Sequence, residues 1–157
     1  KFFTRQMETA QATNFFFYTG NMDYSLENDL TFDVACQTLS IVLLEEIREK
    51  EGGTYGIGAY GGIMPIGDPT AYMQIIYQTD PEKYEYLNSR VEAIVSEFVQ
   101  TGPAEEDLAK IKEYLHKTYK ANQRENSYWA GVITNYLCYG ADIDTNYEAV
   151  VDGLTVE

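Results

Sequence analysis

Arg48 and Tyr55 stand seven positions apart around Gly52-Gly53, in the stretch IREKEGGTYGIGAYGG that occupies residues 47–62. A guanidinium keeps its charge near neutral pH and offers several N–H donors, while a phenol offers one movable O–H. If the chain reverses at the two glycines, the side chains can point toward one volume. Together they could hold a peptide carbonyl and stabilise a developing oxyanion, the electrostatic help that acyl-transfer chemistry uses. They could not start such a reaction themselves. The plainer reading is that Arg48 complements a helix C-terminal dipole, worth roughly 0.3–1 kcal/mol, and that Tyr55 is an ordinary strand aromatic.

Other residues of chemical interest carry less. Gly56, Gly58 and Gly61 spell G-x-G-x-x-G, but a dinucleotide loop follows a strand and opens a helix, so that the pyrophosphate meets the helix N-terminus. Here a helix precedes and a strand follows. Such glycines mark a bulge or a close approach of another backbone, with Tyr60 beside a nearly bare sheet face. His116 is the single histidine, three residues after Glu113; a stable zinc site needs three or four ligands, so it reads as a solvated residue on an amphipathic helix. A Ser-His-Asp or Cys-His arrangement would have to use this same ring. Cys36 and Cys138 are too few and too far apart for a disulfide scaffold or a C-x-x-C site. Both sit in apolar helical contexts and read as buried thiols, with their pairing and the compartment left open.

Acidic residues outnumber basic ones by 25 to 11, a formal charge of −14, which repels phosphate backbones and anionic headgroups. Nucleic acid and membrane-surface roles are thereby disfavoured. No apolar run approaches the ~18 residues of a membrane span, and KFFTRQMETA does not read as a signal peptide. With 45% hydrophobic and 14% aromatic residues in 157 positions, a domain can bury a sizeable core without staples.

The elements that must position Arg48 and Tyr55 follow from periodicity and punctuation. ATNFFFYT, residues 12–19, reads as a strand ending at Gly20-Asn21. A helix capped by Ser25 or Asn28 carries Leu30, Val34, Ala35, Leu39, Val42, Leu43 and Ile47 at helical spacing, with Phe32, Cys36, Ile41 and Leu44 on other faces. A helix apolar on most sides is central. It stops at Gly52-Gly53, where glycine can adopt the left-handed conformation of a helix end. Residues 54–64 and 71–79 read as two strands of a hairpin, the latter alternating between a covered and a wetter face. Asp80-Pro81 opens a helix with Leu87, Val91, Ile94, Val95 and Phe98. Glu105 and Glu106 begin another, with Leu108, Ile111, Leu115 and Tyr119. Residues 127–139 form a fourth, carrying Trp129, Ile133, Tyr136 and Leu137, and a last one starts at Asp144 or Thr145. The fold class is α+β in two layers, a small antiparallel or mixed sheet with helices packed on one face. Three strands are few for this many helices, and GLTVE breaks off soon after a helix begins, so residues 1–157 are expected to be one domain excised from a larger chain and incomplete at its C-terminus.

IREKEGGTYGIGA resembles the C-terminal-half signature of the insulinase and pitrilysin type of zinc peptidase, the inverzincins. YSLENDLTFDVACQTLS, GPAEEDLAKIKEYL and NSYWAGVITNYLCYG resemble the same half. The resemblance implies two homologous halves closing like a clamshell on an unfolded peptide. The amino-terminal half carries H-x-x-E-H and a downstream Glu, with two His and that Glu binding zinc while the motif's own Glu activates water. This chain has no H-x-x-E-H and is similar to the other half. The resemblance therefore implies a peptide substrate, Arg48 and Tyr55 reaching its backbone near the scissile bond, and a zinc-binding half or partner subunit facing them. It implies zinc in the parent enzyme and no metal or cofactor site in this chain, which alone would be inactive. For a bacterial parent it favours a periplasmic or other extracytoplasmic place. The alternative is a non-catalytic structural or interaction subunit of the same fold, which has no need of Arg48 and Tyr55 as a pair.

Overall fold

The computed structural model describes residues 1–5, 8 and 10–156. Three antiparallel strands, β1 (Ala12–Gly20), β2 (Ile57–Ile63) and β3 (Ala71–Thr79), form a sheet in the order β1-β3-β2. Side chains alternate across it. Asn14, Phe16, Ala59, Ile75 and Tyr77 face the helices, whereas Phe15, Phe17, Tyr72 and Tyr60 share the other face, where Phe17 stacks between Phe15 and Tyr72 at centroid distances of 5.9 and 6.2 Å. The helices lie on one side of the sheet, as expected.

The central helix α1 (Leu26–Leu43) starts where the Ser25 hydroxyl accepts a hydrogen bond from the Asn28 N–H at 3.0 Å, so Ser25 is the cap. Its apolar residues divide between two cores. Cys36, Leu39 and Leu43 pack with Ile57, Ala59, Ile75 and Tyr77 of the sheet and with Leu87, Val91, Ile94 and Val95 of α2 (Tyr84–Thr101). Leu30 and Val34 pack with Leu108 and Leu115 of α3 (Glu105–Asn122) and with Val151 of α5 (Tyr147–Gly153). That double duty is why α1 is apolar on most sides.

Helix α1 also covers the outer edge of β2. Ser40 Oγ accepts from the Ala59 N–H at 2.8 Å and lies 3.1 Å from the Ala59 carbonyl, and the Asp29 carboxylate accepts from the Ile63 N–H. Strand edges left unpaired invite foreign strands; here polar side chains of a neighbouring helix occupy those groups. Gly61 is part of the same close fit, since a Cβ there would collide with the Tyr72 carbonyl oxygen and with Phe32 of α1. The three motif glycines therefore belong to strand packing and its approach, consistent with the reading that rejects a phosphate loop.

Several sequence expectations need correction. Asp80 and Pro81 precede α2 without belonging to it: Lys83 N–H bonds to the Asp80 carbonyl at 2.9 Å, a four-residue turn over 80–83, and the helix begins at Tyr84. The last helix begins at Tyr147, because the Asp142 carboxylate takes the N–H groups of Asp144 and Thr145 at 3.1 and 3.0 Å and holds 142–145 as a turn. Cys138 is exposed and unpaired, whereas Cys36 is buried as expected. Cys138 lies on α4 (Asn126–Tyr139), which has no buried residue, so apolar context there does not mean core. His116 is not simply solvated: its Nε2 sits 2.9 Å from Asp152 Oδ1 and its Nδ1 3.7 Å from Glu148, tying α3 to α5.

Candidate functional site

The helix bearing Arg48 continues past α1 as a π-helical segment (Leu44–Lys50). It ends at Gly52, whose φ of +56° is the left-handed conformation that favours glycine. Gly52 and Gly53 N–H groups close the helix onto the carbonyls of Arg48 and Ile47, both at 3.1 Å. The reversal expected at the glycine pair is therefore present.

Beyond the reversal the chain has a pinned base and a free tip. The buried Thr79 hydroxyl at the end of β3 donates to the Gly53 carbonyl at 2.6 Å, and Gly53 lies so close to Leu87 that a Cβ would come within 2.6 Å of it. From there Thr54 turns back on the chain: its Oγ1 donates to the Gly56 carbonyl at 3.0 Å and accepts from the Gly56 N–H at 3.2 Å. A side chain competing for the backbone in this way favours a turn over a ladder. It corrects the expected strand of residues 54–64, because β2 begins only at Ile57. Tyr55 therefore sits at the apex of the turn and is 98% exposed. Its hydroxyl has no hydrogen-bond partner among the described residues.

Arg48 is about half exposed, with Glu49 as an ion partner at 3.6 Å. Exposed pairs of this kind contribute little, around 0–1 kcal/mol, so the guanidinium can exchange that partner for another acceptor. No hydrogen bond or ring contact joins Arg48 to Tyr55 among the described residues. The structure brings them to the same end of the layer without locking them together. Neither lines the 630 Å³ cleft between the N-terminal segment and β1 or the 240 Å³ cleft between the π-helical segment and α2. The pair projects outward, and small ligands are usually enclosed by concave sites. Such a projecting pair can contribute donors to a reaction centre whose other wall lies elsewhere.

Among the described residues, no group of three or more His, Cys, Asp or Glu side chains could hold a metal ion. Residues that the sequence reading passed over are Arg90, Tyr86 and Glu51, which fasten the end of the π-helical segment to α2: the Tyr86 O–H donates to Glu51 at 2.9 Å, and Arg90 meets Glu46 and Glu51 at 3.7 and 3.5 Å. A signal was present in the five-residue spacing of the two glutamates, but it has meaning only in a π register.

The family described as the peptidase M16 inactive domain matches residues 1–115. The chain belongs to this family. No curated protein matches it. Among solved structures it is similar to the periplasmic protease PqqL from Escherichia coli, at 20% identity and a TM-score of 0.78, over 93% of this chain and 16% of that one. A peptidase M16 inactive domain from Pseudomonas fluorescens is 23% identical with a TM-score of 0.70, over 96% of this chain and 36% of that one. The ferredoxin protease FusC, in a complex with Arabidopsis ferredoxin, is 16% identical with a TM-score of 0.76, over 93% of this chain and 16% of that one. At these identities the likenesses establish the fold. The chain spans well under half the length of these three relatives.

Proposed function

We propose that this domain is the substrate-holding, non-zinc part of a zinc-dependent endopeptidase of the insulinase and pitrilysin type, with Arg48 and Tyr55 donating to the peptide backbone near the scissile bond. The reading rests chiefly on Tyr55, a large half-apolar side chain carried 98% exposed at the apex of a turn whose base is pinned. A strand aromatic packing for stability would be covered. Family membership supplies the context, and the projecting geometry fits a site completed by a facing half that carries the metal. When bound there, zinc would polarise the carbonyl and activate water. This chain's share is to orient the substrate and to offer a guanidinium and a phenol O–H where negative charge develops.

Steady-state kinetics on the full-length parent enzyme test the proposal. Removing one oxyanion donor costs on the order of 10²–10³ in kcat in a well-studied case. Because Tyr55 is exposed before substrate arrives, a smaller loss is expected: Tyr55→Phe lowers kcat about tenfold or more and moves KM less. An unchanged kcat would remove the transition-state role. A pure rise in KM would reduce Tyr55 to ground-state binding.

A further inference from the structure

The segment carrying Arg48 is π-helical, and Glu51 N–H reaches back five residues to the Glu46 carbonyl at 3.3 Å, while the Gly52 and Gly53 N–H groups, bonded to Arg48 and Ile47 at 3.1 Å each, form the glycine cap that closes it. π turns are rare and are found frequently at functional sites. Their effect here is visible in the charges. On an α-helix five residues span about 1.4 turns, which leaves Glu46 and Glu51 on nearly opposite sides. When hydrogen bonds run to the fifth residue, five residues make little more than one turn. Both carboxylates then converge on Arg90 of α2, Nη2 to Glu46 Oε2 at 3.7 Å and Nε to Glu51 Oε1 at 3.5 Å. Lys50 lies between Glu45, five residues back at 3.3 Å, and Glu46, four back at 2.6 Å, so Glu46 is shared between Lys50 and Arg90. Arg90 Nε is shielded from water and makes no hydrogen bond of its own, so the two acids are its electrostatic compensation.

We propose that Arg90 is a positioning residue that, by bridging Glu46 and Glu51, holds the π register and thereby sets the direction of Arg48. Arg48 lies inside the bridged interval, next to Ile47, which is completely buried in the sheet-side core. Returning the segment to an α register would rotate the rest of the helix by about one residue, so Ile47 could stay buried only if Arg48 took a new bearing. The inference rests on the substrate-holding role of Arg48, because a fixed bearing matters only to a guanidinium with a target.

The test uses the full-length enzyme and Arg90→Met, which keeps most of the aliphatic packing and removes the charge. Its kcat falls about two- to fivefold, the range expected when a weak ion-pair bridge is lost, and KM changes less. Amide exchange at Glu51 and Gly53 accelerates. Arg90→Lys, a point charge unable to span two carboxylates, recovers only part of the activity. In an Arg48→Met background, Arg90→Met has little further effect on kcat, since Arg90 acts through Arg48; a residue that merely stabilised the fold would add its cost in full. Additive losses, or unchanged exchange at Glu51 and Gly53, would overturn the proposal. If Arg48→Met itself left kcat untouched, the substrate-holding reading would fall instead, and the exchange data would decide the register claim by itself.

Discussion

Asp29 and Asp33 lie on α1, more than half covered, and burial raises both carboxyls above their ordinary value of 3.8 even though Ile63 N–H and the Gln37 amide, the latter at 2.7 Å, favour the charged forms. An acid whose folded-state pKa is raised binds its proton more tightly when folded. Its stabilising contribution is complete below the unfolded value and is lost as pH rises through the folded one. Urea unfolding as a function of pH should therefore show the native chain losing stability, relative to an Asp29→Asn, Asp33→Asn variant, as pH climbs from 3.8 through the raised values. Parallel profiles would mean that the two carboxyls are no more buried than ordinary surface acids. At the same scale, Thr54 decides the candidate site: by bonding both backbone groups of Gly56 it keeps Tyr55 out of the ladder and on an apex.

At the scale of elements, the two cysteines report on the helices that hold them. Burial pushes the Cys36 thiol on α1 up to about 12, so it carries almost no thiolate near neutral pH, whereas Cys138 on α4 is exposed. A thiol reagent at pH 8 should label one cysteine rapidly in the folded chain and both after denaturation; rapid labelling of both in the folded chain would contradict the packing of α1 against the sheet. The sequence distinguished these helices only partly. Period 3.6 located α1, α2, α3 and α4, and the two-residue alternation of β3 gave the covered face, because those patterns record burial directly. It could not tell that the apolar face of α4, with Ile133 and Leu137 exposed at 56% and 76%, is left uncovered by the described residues, since apolarity is the same whichever molecule covers it. The reversal at Gly52-Gly53 was legible from the glycines. The π register was not, because it depends on Arg90, forty-four positions beyond Glu46 in sequence.

The whole molecule is an acidic, two-core domain that carries a projecting Arg and Tyr at one end and has no zinc-holding cluster among its described residues. Its charge of −14 draws cationic segments toward it at low salt and loses that reach as ionic strength rises. Arg48 is a basic exception near the proposed contact, and its nearest acids, Glu49 above all, compete with any incoming carbonyl. On the proposed reading, such a domain would act by holding groups out toward a metal site in another part of the enzyme. An interaction realised only as the oxyanion forms strengthens the binding of a transition-state mimic far more than that of a substrate. The most direct measurement is therefore the affinity of the full-length enzyme for a phosphinic peptide and for the matching uncleaved peptide, with Tyr55 and with Phe in its place. Tyr55→Phe is expected to weaken the phosphinic peptide about tenfold or more and to leave the ordinary peptide nearly unchanged. Equal weakening of both, or of neither, would contradict a phenol that acts on the developing oxyanion.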